Sequence, residues 1–148
     1  MKYLRKFNES DECYDNAGRA NVIKGDIKDM SLDIQDEGFR VVAEDDKDPY
    51  YPSFGYAPDL NITIDKFDKG YRDSFSLDEI RDFLLRLIKY DRTNPCSIEI
   101  FIPKEHHNNQ LIRIDYSERL GFTHWDKYNP FPIKHRVSYV FIKIRIFK

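Results

Sequence analysis

Two cysteines, Cys13 and Cys96, are the whole thiol complement of this 148-residue chain. They are too few and too far apart to suggest a disulfide framework, so a reducing, intracellular setting is the expectation. Six glycines leave little material for cradling a nucleotide backbone, and there is neither a phosphate-binding Gly-Lys-Ser/Thr loop nor a Gly-x-Ser-x-Gly elbow. No segment approaches the roughly 20 apolar residues of a membrane helix. The first residues are too charged for a secretory signal, which needs an apolar stretch of roughly 7 to 15, so no membrane partner is expected. There is also no excess of one charge: the net is −2, which removes any global electrostatic argument for nucleic acid.

What is present is an uneven distribution. Residues 1–50 hold 8 basic and 13 acidic groups, residues 51–100 hold 7 and 9, and residues 101–148 hold 9 and 4. A chain of this length makes one domain that buries roughly 68–70% of its unfolded surface. The reading divides it into a basic N-terminal peptide with a polar linker, 1–19, and a single domain, 20–148.

Periodicity then gives a helix-strand-strand unit used twice and one further strand. Ile23, Ile27, Met30 and Ile34 share one helical stripe, and Gly38 closes that helix before the strand Phe39 to Ala43. Leu60 to Ile64 alternates as a half-buried strand does. Ser76 followed by Glu79 is a capping box opening a second helix with Ile80, Phe83, Leu84, Leu87 and Ile88 inward, stopped at Asn94-Pro95. Ile98, Ile100 and Ile102 mark a strand, Leu111 to Tyr116 its hairpin partner, and Val137 to Phe147 a long final strand with Val140, Ile142, Ile144 and Ile146 on one face. Two helices cannot cover both faces of about five strands. The expected class is therefore α+β, a two-layer sandwich of one mostly antiparallel sheet with both helices on one side, in α-β-β-α-β-β-β order.

The other face of the final strand would show Tyr139, Phe141, Lys143, Arg145 and Phe147. With Arg113 this mixture suits base stacking and phosphate contact, or burial against another chain, or a lid made by long loops. Two such loops, 48–58 and 122–132, are rich in proline and aromatics. From them Tyr50, Tyr51, Phe54, Trp125, Tyr128 and Phe131 are candidates for a partner-binding surface, or for a minicore that seals the sheet. An exposed final strand favours pairing between chains, a homodimer through Val137 to Phe147.

Catalytic and metal-binding patterns fall short. Asp65 to Gly70 begins like a calcium loop, but Phe67, Lys69 and Ser76 stand where oxygen donors are required, so it reads as a turn. Asp26, Asp29, Asp33 and Asp36 share a helical face and read as its solvated side. Asp65, Glu99 and Asp115 are the strand-associated acids on which a magnesium-dependent nuclease would draw, without a spacing that supports it. His106 and His107 are adjacent and, with Cys13 and Cys96, match no zinc spacing. No cofactor or metal and no enzymatic activity is expected.

Met1-Lys2-Tyr3, Phe7 and Glu9 follow the pattern Met-Lys-aromatic-x-x-x-Phe-x-Glu, and in this the chain resembles uncharacterised small proteins of AT-rich tailed phages. Residues 34–41 and 80–87 resemble matching parts of the same group. The resemblance implies a phage origin, with a location in the host cytoplasm or the virion, and no mechanism. The same peptide is similar to the capsid-targeting peptides of myovirus internal head proteins, which implies processing between Glu9 and Ser10, although Phe7 replaces a smaller aliphatic residue. The expected function is a non-enzymatic interaction protein that binds a virion component or a host protein. The alternatives are a nucleic-acid-binding accessory protein and a small metal-dependent nuclease.

Overall fold

The structure is a computed structural model that describes residues 12–45, 60–93, 96–104 and 110–146. The N-terminal peptide with Glu9 and Ser10, the aromatic residues Tyr50, Tyr51 and Phe54, the histidine pair His106 and His107, and Phe147 lie outside these.

The first helix, α1 (Glu12–Met30), starts within the segment read as linker, so residues 12–19 are helical. Ala20, Ile23 and Ile27 form its buried stripe. At Ser31 the helix breaks and resumes as α2 (Leu32–Asp36). The buried Ser31 hydroxyl donates to the Lys28 carbonyl at 2.9 Å and accepts from Gln35 Nε2 at 2.6 Å. Such back-bonding competes with the helical ladder. The single helix expected through Ile34 is therefore a pair, and Ile34 still reaches the core. Gly38 closes it at φ +95°, its N–H donating to the Gln35 carbonyl at 3.1 Å.

Strands β1 (Phe39–Asp45) and β2 (Leu60–Asp68) form an antiparallel pair. Lys69 and Gly70, both at positive φ, turn β2 into β3 (Tyr71–Asp73), as a two-residue hairpin requires. The short β4 (Phe75–Ser76) leads through a 3₁₀ turn, Leu77–Ile80, into α3 (Arg81–Thr93). Here the expected cap is present: the Ser76 N–H donates to the Glu79 carboxylate at 2.9 Å, and Lys66 Nζ donates to it at 2.8 Å. Partial burial alone would raise the Glu79 pKa, but these two donors outweigh it and hold the carboxyl below its ordinary value. The chain continues through β5 (Cys96–Pro103), β6 (Leu111–Ser117), β7 (Gly121–His124), β8 (Arg136–Val137) and β9 (Val140–Ile146).

The main sheet has seven strands. Its order is β1-β2-β9-β5-β6-β7, with β3 on β2, while β4 and β8 make a separate pair. Every pairing is antiparallel. This is the expected α+β class with more strands than the five read from sequence. Two corrections follow. Phe122 to His124, read as the start of an aromatic loop, belong to the strand Gly121–His124, which continues the β5–β6 meander. The final strand is broken at Ser138 and Tyr139, and β9 lies inside the sheet between β2 and β5. With both its edges hydrogen-bonded, β9 cannot pair two chains, so the homodimer through Val137 to Phe147 is excluded.

The position of β9 also explains how two helix-strand-strand units become one domain. Leu60, Ile62 and Ile64 of β2, Val140, Ile142 and Ile144 of β9, and Ile100 and Ile102 of β5 point one way, into a core completed by Ile80, Phe83, Leu84 and Leu87 and by Ile23, Ile27 and Ile34. Among the described residues no helix is long and apolar enough to cross a membrane.

Candidate functional site

Because side chains alternate along a strand, the residues between the core positions must face away from the helices. Arg40, Asn61, Thr63, Asp65, Phe67, Glu99, Phe101, Arg113, Asp115, Phe141, Lys143 and Arg145 are such residues, and they make a second face unlike the first.

At its β1–β2 end Asp65 is only 1% exposed. Arg40, its direct cross-strand neighbour, grips both carboxylate oxygens at 3.0 and 2.8 Å, and Arg72 on β3 adds a third bond at 3.2 Å. Paired, bidentate donors make this buried charge tolerable. The hydrogen bonds and the charge of Asp65 raise the Arg40 pKa above its ordinary value. The guanidinium also lies 4.7 Å from the Phe67 ring centroid.

In the middle, Glu99 stands opposite Lys143 in the β5–β9 register. Its carboxylate takes Arg145 Nε at 3.2 Å and Arg113 Nη1 at 3.4 Å, and Arg113 also lies 4.0 Å from Asp115. Phe101 and Phe141 are cross-strand partners with ring centroids 6.1 Å apart. Four of the residues singled out for nucleic acid, Arg113, Phe141, Lys143 and Arg145, are thus brought together. Tyr139 lies just outside the strand, in the break before β9. That a shared carboxylate, Glu99, sits among these cations follows from strand order and was not legible in the spacing.

The β7 end holds the exposed aromatics. Trp125, the chain's one tryptophan, is 50% exposed and Tyr128 is 73% exposed. The Arg113 guanidinium carbon lies 5.0 Å from the Trp125 ring centroid, and the Trp125 N–H donates to the Arg113 carbonyl at 3.2 Å. His124 and Asn129 close the turn: the His124 N–H donates to the Asn129 carbonyl and the Tyr128 N–H to the His124 carbonyl, both at 3.0 Å. This turn holds Tyr128 at φ +51°, a left-handed conformation uncommon outside glycine.

Phe131, assigned with these two residues to a partner surface, is instead 7% exposed and belongs to the core. It packs edge-on against His124 at 5.2 Å, and its N–H donates to the Phe122 carbonyl at 2.7 Å. The Phe131 segment thereby covers the outer edge of β7, where Thr123 bridges Pro130. Between this turn and the β5–β6 ends lies an open cleft of about 740 Å³, whose walls include Phe101, Lys104, Leu111, Arg113, Trp125 and Lys127. Lys104 and Lys127 were missed in the sequence because each lies in a loop, where alternation gives no facing.

The three strand acids considered for a nuclease are not gathered into one group: Glu99 and Asp115 share Arg113, while Asp65 stands apart. Asp65 on β2 and Glu99 on β5 are separated by β9, and each is engaged by arginines. Of the four helical acids, Asp26 accepts a 2.7 Å bond from the Tyr90 hydroxyl and Asp33 one of 3.0 Å from Arg86, so both tie the helices together. Burial first, then the bond to Asp26, pushes the Tyr90 pKa up. Among the described residues no group of three or more His, Cys, Asp or Glu is placed to hold a metal ion. Comparison with protein-family models, curated proteins and solved structures finds no match.

Proposed function

We propose that this chain is a non-enzymatic interaction protein, phage-encoded, that binds a virion component or a host protein through the β7 end of its second face. The observation that carries the reading is the exposure of Trp125 and Tyr128 on a turn that is already held in place. Binding usually costs the freedom of the side chains it immobilises. Here Trp125 is stacked by Arg113 and the turn is closed by its own backbone bonds, so a rigid aromatic anchor is available at little entropic cost. The phage origin rests on the N-terminal pattern alone.

The test replaces Tyr128 with a photo-crosslinking residue in the full chain, expressed during infection, and identifies adducts by mass spectrometry in purified particles and cleared lysate. One defined protein adduct is expected. Enrichment in particles with a start at Ser10 would make the partner a virion component, and an intact chain with its adduct in lysate would make it a host protein. Adducts that contain no protein would overturn the reading.

The nucleic-acid alternative draws on the grouping of Arg113, Phe141, Lys143 and Arg145. It is weakened by Glu99 and Asp115, which pair with Arg113 and Arg145 within the chain. A steep loss of affinity between about 50 and 200 mM salt would favour it, and binding that ignores salt would sink it.

A further inference from the structure

The cleft at the β7 end has a charge and a shape that narrow what it accepts. Its size falls within the range of about 300–1,000 Å³ typical of ligand sites. Lys104 and Lys127 are both exposed, and neither ammonium has a partner among the described residues. Arg113 reaches the same cleft with its Nε buried and without a hydrogen-bond partner. Its charge is met by Glu99 at 3.4 Å and Asp115 at 4.0 Å, so the uncompensated charge of the cleft rests on the two lysines. Against these two lysines the described residues of the cleft walls set one acid, Asp126. Trp125, Leu111 and Phe101 supply the apolar part.

We propose that this cleft binds an acidic peptide segment of a protein partner, with carboxylates at Lys104 and Lys127 and one apolar side chain against Trp125 and Leu111. The inference rests on the interaction reading and names the partner's chemistry. A nucleic-acid chain fits less well because a phosphate backbone needs a continuous track of uncompensated cations. The track leading away from the cleft, Arg113, Lys143 and Arg145, surrounds Glu99. The cation excess is therefore local, sufficient for a short anionic stretch. Strand addition is also excluded at this edge, because Pro130 and Phe131 already occupy the outer side of β7, so recognition must run through side chains.

Trp125 is the only tryptophan, so its fluorescence reports on the cleft directly. The probe is a capped peptide of Asp and Glu around one central Leu, titrated into the full chain, beside the same peptide with Lys for the acids and beside oligothymidylate. The acidic peptide is expected to give a saturable emission shift. The double variant Lys104→Glu/Lys127→Glu is expected to bind it roughly tenfold more weakly or worse, a change of about 1.4 kcal/mol. Lys28→Glu, on α1 across the sheet, should leave the affinity unchanged, and unfolding curves check that all variants fold. The proposal is overturned if the acidic peptide gives no saturable shift, if the Lys peptide or oligothymidylate binds as tightly, or if the double reversal has no effect. Crosslinking from Tyr128 in infected cells does not depend on the probe, so a defined protein adduct there alongside a negative titration would sink this inference and spare the interaction reading.

Discussion

The two faces of the sheet differ by one residue of register and by almost everything else. Ile62, Ile142 and Ile100 lie side by side across β2, β9 and β5 and are buried under the helices. One step along the same strands, Asn61, Lys143 and Glu99 lie side by side on the other face. Because the side-chain period is two, a slip of a single residue would put a lysine and a glutamate into the core. The first face thus stabilises the fold, and the second fixes its register while holding side chains that can meet a partner. Burial there rests on ion pairs, which contribute little when exposed.

The largest expected effect separates neighbours on β9. Ile142→Ala should cost about 2–5 kcal/mol, through lost burial and a cavity that the sheet cannot close. Lys143→Ala, one residue away, should cost under about 1 kcal/mol. Chemical denaturation with a common slope reads both, and equal losses would mean that the second face is as structural as the first.

Asp65 is where the contrast should nearly break. It is on the second face and yet buried, with three charge-assisted bonds from Arg40 and Arg72. Asp65→Ala should cost about 2 kcal/mol, in the range of hydrogen bonds to charged groups. The arginines left behind are about half exposed and regain water, so the loss should stay below that of Ile142→Ala. A loss above it would make Asp65 the keystone of the β1–β2–β3 corner.

A smaller effect comes from the helix-covered face. Burial, then the nearby Asp91 carboxylate, pushes the Cys96 thiol up to about 11 from its ordinary value of 9.0. A raised folded pKa means that the unfolded chain loses its proton first. The contribution is complete below pH 9.0 and is lost as pH rises to about 11. In a Cys13→Ser background, Cys96 should react with a disulfide reagent only at the rate of unfolding at pH 8. Prompt reaction of the folded chain would show that this end of β5 is open.

How much of this was readable from sequence follows the same division. The core positions were legible because periodicity encodes burial: Ile23, Ile27 and Ile34, Ile80 to Leu87, and Val140 to Ile144 all point where their spacing says. Gly38 and the Ser76–Glu79 cap were legible because their chemistry is local. β7 was not, since Phe122-Thr123-His124 is short and sits among turn-forming residues, and its strand character comes from pairing with β6. The place of β9 between β2 and β5 was equally hidden, because strand order depends on contacts far apart in sequence. On the candidate surface, alternation grouped Phe141, Lys143 and Arg145 correctly. It could not show that Phe131 turns inward to cover the β7 edge, or that Glu99 serves cations from two neighbouring strands.

Glu99 gives the smallest stability effect and the sharpest functional one. Glu99→Gln keeps the shape of the side chain and an oxygen that can still accept from the arginines while it removes the charge, so the fold should lose only about 1 kcal/mol. The change leaves Arg113 and Arg145 without their shared carboxylate and removes the anion opposite Lys143, beside the stacked pair Phe101 and Phe141. That is the arrangement by which single strands are held, bases on aromatic rings and phosphates on cations. The variant should therefore bind oligothymidylate more tightly than the parent chain, with an affinity that falls steeply as salt rises from about 50 to 200 mM. If the parent binds as tightly as the variant, Glu99 does not mask the second face and the nucleic-acid reading regains ground. If neither binds, the cations serve register alone, and function belongs to the β7 end.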